Sequence, residues 1–198
     1  MGKITEALEY IMEIEGQDRV FTDLKDNCML DKSSRADYNI DLENILNSAH
    51  FVPLKESKNL NELYSTVRMV LGNPRDCEQG NDKNFSEILK SGQGDCMEKS
   101  ALFQIAMDFF RKTGNHPLSG KRSFYVSAFL KTEFESDFSR HAFNIVTSEK
   151  ENLLIDLENP LLDGENNEIP YIVSASIKQD SCEIVIPKKF AFGRIYHL

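Results

Sequence analysis

The spacing of apolar side chains changes once along this chain. Up to about residue 113 it follows the helical period; from residue 123 it follows the period of two of a β-strand. Ile4, Ala7, Leu8, Ile11, Met12 and Ile14 predict a helix over 3–15 that Gly16 stops. Residues 17–40 are polar and mixed, with weak signals. A short helix is predicted over 41–48 with Asp41 as its cap. Another runs from Asn59 to Gly72, with Leu60, Leu63, Val67 and Val70 on one face. Residues 73–84 read as a loop, and FSEIL as a helical turn. Helix 96–113 comes next, with Leu102, Ile105, Ala106, Phe109 and Phe110 spaced for burial. Gly114 stops it and Pro117 prevents an immediate restart.

Beyond that point SFYVSAFLKTEF (123–134) alternates Phe124, Val126, Ala128 and Leu130 against Tyr125, Ser127, Phe129 and Lys131. HAFNIV (141–146), LLIDL (153–157), YIVSASIKQ (171–179) and CEIVIP (182–187) predict further strands. Helices first and then a meander of about five strands define an α+β fold with an antiparallel sheet, not alternating βαβ units. The 198 residues suit one domain, 1–198, with a mainly helical N-terminal part over 1–72.

Composition narrows the partners. The net charge of −9 gives an acidic surface that repels phosphate backbones, so no nucleic-acid partner is expected. No run approaches the ~20 apolar residues of a membrane span, so no membrane partner is expected either. MGKITEALEYIMEIEG has no apolar h-region, and a cytoplasmic location is the expectation. Cys28, Cys77, Cys96 and Cys182 form no CxxC pair and are expected to be reduced thiols rather than zinc ligands.

One of these cysteines stands apart. In GQGDCMEKS (92–100) two glycines precede Cys96, which opens a predicted helix. Unpaired N–H groups and the positive dipole end at such a position favour a thiolate and can hold an oxyanion. Read alone, the stretch is equally a capping turn, with Asp95 as N-cap and Cys96 merely buried. His141 starts a strand, where a histidine is commonly only hydrogen-bonded. Asp156 lies in an apolar strand, where a buried carboxylate needs a partner, although an exposed edge would also accommodate it. The two become informative together. A hairpin turning about Ser148-Glu149 sets His141 directly opposite Asp156 on one face. Cys96, His141 and Asp156 then supply a nucleophile, a base and a group that orients the base.

GQGDCMEKSALFQIAMDFFRKTG, RHAFNIV and LLIDLENP together resemble the core of the transglutaminase-like superfamily over about residues 85–160. The resemblance implies a papain-like core, with the nucleophile helix packed on an antiparallel sheet and a catalytic part over 85–198. It implies Cys96 as nucleophile, His141 as base and Asp156 as orienter, acting by acyl transfer on a protein or peptide substrate with neither metal nor organic cofactor. Backbone N–H groups near Cys96, with Gln93, Gly94 and Asn144 as further candidates, would hold the substrate oxyanion. The chain has no Trp, so the oxyanion-stabilising Trp of animal transglutaminases has no counterpart, which points to hydrolysis or deamidation over cross-linking. An arylamine N-acetyltransferase-like enzyme orders Cys, His and Asp in the same way, but its Arg-Gly-Gly lead-in is missing. A non-enzymatic interaction domain retaining the fold is the alternative of another class.

Overall fold

The computed structural model describes residues 20–21, 29–30, 38–72, 83–133, 136–178 and 183–197. The helix expected over 3–15 and three of the cysteines, Cys28, Cys77 and Cys182, lie outside them. The helices are α1 (Leu42–Asn47), α2 (Val52–Lys55), α3 (Leu60–Val70), α4 (Phe85–Ser91), α5 (Cys96–Thr113) and α6 (Lys188–Ala191). Short strands β1 (Val20–Phe21), β2 (Met29–Leu30), β3 (Tyr38–Asn39) and β4 (Lys83–Asn84) precede the longer β5 (Arg122–Lys131), β6 (Ser139–Thr147), β7 (Asn152–Leu162) and β8 (Glu168–Ser174). Three more follow: β9 (Ser176–Lys178), β10 (Glu183–Val185) and β11 (Ile195–His197).

The fold is α+β. Its main sheet is antiparallel throughout, in the order β8-β7-β6-β5-β11-β10-β9, with β1 also paired to β5. β8 and β9 stand at opposite ends of that order, yet only Ala175 separates them in the chain. The sheet must therefore curl until its two edges approach each other. Curling gives it two buried faces. Phe124, Val126, Ala128, Leu130, Phe143, Ile145, Leu154, Tyr171 and Tyr196 fill the inside of the curl. Tyr125, Ala142, Val146, Ile155 and Leu157 face outward into a second core shared with the helices.

Helix α5 is the axis of that second core. Its N-terminus is fixed by a capping box: the Asp95 carboxylate accepts the Met97 N–H at 3.0 Å, and Glu98 Oε2 accepts the Asp95 N–H at 2.9 Å. Gly114, at φ +72°, closes the other end through a bond from its N–H to the Phe110 carbonyl. The helix lies between α3 and strands β5, β6 and β7, and is buried on nearly every side. Buried Gln104 ties it to the sheet: its Nε2 donates to the Ser123 carbonyl at 3.1 Å. Phe109, expected in the core, is only partly buried and packs edge-on to Phe51.

Several expectations are corrected. Residues 83–84, expected as loop, form β4, which pairs in parallel with β3. The run 171–179 is two strands: β8 pairs with β7 and β9 with β10. The Asp41 side chain accepts no backbone N–H of α1, only Asn44 Nδ2 at 3.2 Å; its other oxygen accepts the Ser86 N–H at 3.0 Å and so caps α4 from across the chain. Asn59 caps α3 as expected, accepting the Glu62 N–H at 3.0 Å. Among the described residues no helix is long and apolar enough to cross a membrane.

Candidate functional site

Cys96 is the first residue of α5 and is half-buried. The cap takes the N–H groups of Met97 and, by the capping box, Glu98; the N–H of Cys96 itself is not among the groups it engages. Glu98 is fully buried. Burial, reinforced by the Asp95 carboxylate beside it, pushes its carboxyl up to about 8. The two glycines ahead of the thiol serve different ends. Gly92 takes φ +67° and closes α4. Gly94 is buried, and a Cβ there would stand 3.1 Å from Cβ of both Leu71 and Glu98. Its missing side chain is what lets the loop press against α3 and α5.

His141 and Asp156 come from neighbouring strands and both face the inside of the curl. Phe143, two residues after His141, has its ring 6.2 Å away in a stacked arrangement. His141 Nε2 lies 3.0 Å from Asp156 Oδ2, with the ring N–H out of line for a well-aligned hydrogen bond, so the contact is a close charge pair. Both side chains are buried, Asp156 completely. Burial pulls the imidazole toward its neutral form. The Asp156 charge, with a smaller contribution from Cys96, outweighs it and holds His141 well above the usual histidine range. For Asp156, burial acts upward, but His141 and the donors around the carboxylate bring it down to about 2.

The register differs from the one expected. Asn144 pairs with Ile155, Ile145 with Leu154 and Thr147 with Asn152, so the hairpin turns about Glu149-Lys150, one residue later than Ser148-Glu149. Ser148 opens the turn: its Oγ accepts the Glu151 N–H at 3.3 Å and its own N–H donates to the Glu151 carbonyl at 2.9 Å. Continuing that register puts Asp156 level with Phe143, and His141 meets it diagonally, two residues away. An even slip keeps the face, so the pair survives the correction.

Four donors besides His141 hold the Asp156 carboxylate. The N–H groups of Glu158 and Asn159 reach Oδ1 at 3.0 Å each, while Asn159 Nδ2 at 3.2 Å and the Tyr196 hydroxyl at 2.6 Å reach Oδ2. The Tyr64 hydroxyl donates to the backbone carbonyl of Asp156 at 2.9 Å. Arg68 Nη1 donates to the carbonyls of Leu157 and Glu158 at 2.5 and 3.3 Å. Lys99, one turn along α5 from Cys96 and buried, meets Glu158 Oε2 at 2.5 Å. Sequence reasoning missed Tyr196, Tyr64 and Asn159 as members of this constellation. Only Asn159, three residues after the aspartate, carried a local signal, because an Asp–x–x–Asn turn is a common way to satisfy a carboxylate.

Of the expected oxyanion donors, Gln93 is half-buried, with its backbone N–H on Ser91 Oγ at 3.3 Å. Gly94 is engaged in packing. Asn144 lies on the opposite face of β6 from His141, and its Nδ2 donates to the Ser100 carbonyl at 3.1 Å, tying α5 to β6. Among the described residues no group of three or more His, Cys, Asp or Glu side chains is placed to hold a metal ion. Comparison of the chain with protein-family models, with curated proteins and with solved structures returned no match.

Proposed function

We propose that this protein is a cysteine-dependent acyl-transfer enzyme acting on amide bonds of a protein or peptide, by hydrolysis or deamidation, with Cys96 as nucleophile, His141 as acid and base, and Asp156 as the orienting carboxylate. The observation that carries the reading is the buried pair His141 Nε2–Asp156 Oδ2 at 3.0 Å, whose imidazole is held toward its charged form by Asp156 and, less, by Cys96 at the head of the capped helix α5. A surface histidine or a structural thiol needs neither the buried carboxylate nor its four further donors. The likeness of the three motifs to the transglutaminase-like superfamily supports the same roles.

In the reaction so assigned, the Cys96 sulfur forms a bond to the amide carbon, and the carbonyl π electrons move to oxygen beside the Cys96 N–H. The imidazolium of His141 gives its proton to nitrogen as the C–N bond breaks, leaving a thioester and a free amine, or ammonia when the target is a glutamine side chain. Neutral His141 then takes a proton from water. The water oxygen bonds to the acyl carbon, the C–S bond breaks, and the thiolate–imidazolium pair is restored with release of the acid. The Asp156 carboxylate stabilises the imidazolium at both stages.

Intact-mass spectrometry of a glutamine-peptide library incubated with wild type and with Cys96→Ala tests this. Deamidation, cleavage or amine addition by wild type alone is expected. Alkylation by iodoacetamide at neutral pH should fall first on Cys96, and Cys28→Ala should leave that pattern as it is. Equal labelling of all four thiols together with an inert library would overturn the reading and favour an interaction domain.

A further inference from the structure

Tyr196 has no part in the triad as proposed, yet it makes the shortest contact to it. It lies in β11, three residues long, which is inserted between β5 and β10 and pairs Tyr196 with Leu130. Its ring is fully buried within the curl. It packs edge-on to Phe143 at 5.1 Å and tilted beside His141 and Tyr171, each at 6.3 Å. Its hydroxyl donates at 2.6 Å to Asp156 Oδ2, the same oxygen that faces His141. Burial, then the Asp156 charge, hold the phenol well above its ordinary range, so it is a donor at any working pH.

A fully buried carboxylate stays ionised only while donors replace the water it has lost. Three of the four donors beside His141 belong to Glu158 and Asn159, next to Asp156 in the chain; Tyr196 is the one brought by a distant strand. Its proton lowers the proton affinity of the oxygen that must face an imidazolium. It also stands on the side of the carboxylate that the local turn leaves to Asn159 Nδ2 alone. Tyr64 provides the contrast: its hydroxyl reaches the same residue, but at the backbone carbonyl.

We infer that Tyr196 is a positioning residue of the acyl-transfer reaction, holding Asp156 ionised and aimed at His141 through a hydrogen bond carried in by strand β11. The inference rests on the proposed triad. A structural role for the ring alone would make Tyr196→Phe harmless to ionisation, because the packing surface is retained.

The test is the carboxyl titration of Asp156 by NMR of aspartate-labelled protein, assigned with Asp156→Asn, in wild type, Tyr196→Phe and Tyr64→Phe. Tyr196→Phe should raise the Asp156 midpoint by about one pH unit, the effect of losing one strong donor to an ionised form, and Tyr64→Phe should leave it in place. Introducing 3-fluorotyrosine at position 196, a stronger donor of the same shape, should lower the midpoint, and it supplies the answer if the phenylalanine variant does not fold. An Asp156 midpoint unmoved by the fluorinated residue or by Tyr196→Phe would overturn the inference. Iodoacetamide labelling of the same wild-type sample separates the two claims. Cys96 no more reactive than the other thiols would count against the acyl-transfer reading and leave the Tyr196–Asp156 linkage standing, whereas a reactive Cys96 beside an unmoved Asp156 removes only the role of Tyr196.

Discussion

Replacing Asp156 by asparagine removes one negative charge while keeping the volume and an oxygen for the N–H groups of Glu158 and Asn159. The His141 imidazole then loses the partner that holds it protonated, and burial, the largest influence on it, drives it toward the neutral form. Breaking a buried ion pair by removing one partner costs about 3–5 kcal/mol. For a chain of this size each kcal/mol is worth about 2–4 °C in melting temperature, so a loss of roughly 6–20 °C is expected near pH 6. The pH dependence is the sharper part. In wild type the folded imidazole titrates at about 10, against 6.5 when unfolded, so the stability it contributes is complete below 6.5 and drains away as pH rises toward 10. The slope of that loss is about 1.4 kcal/mol per pH unit. Asp156, depressed from 3.8 to about 2, contributes stability above 3.8 that is lost as pH falls through 2. The wild-type advantage over Asp156→Asn should therefore be large between pH 4 and 6.5 and shrink on either side. Thermal unfolding followed by circular dichroism from pH 3 to pH 10 measures it. An advantage that stays constant with pH, or grows above pH 7, would refute the charge-pair account of this contact.

Two further outcomes follow from the start of α5. Gly94→Ala should destabilise the fold by about 1–3 kcal/mol, the usual cost of overpacking, because the new methyl stands 3.1 Å from Cβ of Leu71 and Glu98; thermal melts would detect it. Glu98→Gln mimics the protonated carboxyl. Wild type folds with Glu98 titrating at about 8 against 4.5 unfolded, so it loses stability as pH rises from 4.5 to 8, and the glutamine variant should gain on it across that interval in urea titrations at pH 5 and pH 9.

Much of the fold was legible because its signals are local. Asn59 and Gly114 mark helix ends by chemistry that acts within a turn, and both positions behave as expected. What the pattern could not carry is closure of the sheet. The alternation in 123–134 distinguishes two faces but says nothing of a sheet that buries both, one in its own curl and one against α5. The same blindness hid β11. IYH is three residues long, and its place between β5 and β10 is decided by partners more than sixty residues away on one side and about twelve on the other. Asp41 shows the limit in a helix cap: the residue type was a cap, but the helix it caps begins 44 residues later.

The candidate site was legible to the extent that chemistry leaves a mark on residue type. An aspartate inside LLIDL is costly unless satisfied, and that cost identified Asp156 before any geometry. Pairing it with His141 depended on parity rather than on the exact register. Opposed residues and residues offset by two lie on the same face, whereas an offset of one would have separated them, and the observed turn is displaced by an even step in the index sum. Parity also places Asn144, whose odd offset from His141 sends it to the helix side of β6. Tyr196 follows neither rule: it reaches Asp156 across the inside of the curl, not along a strand, and only closure of the sheet brings the two together. Groups that satisfy a buried charge from across a closed sheet are therefore where a strand-by-strand reading is blind, and Tyr196 is the case here.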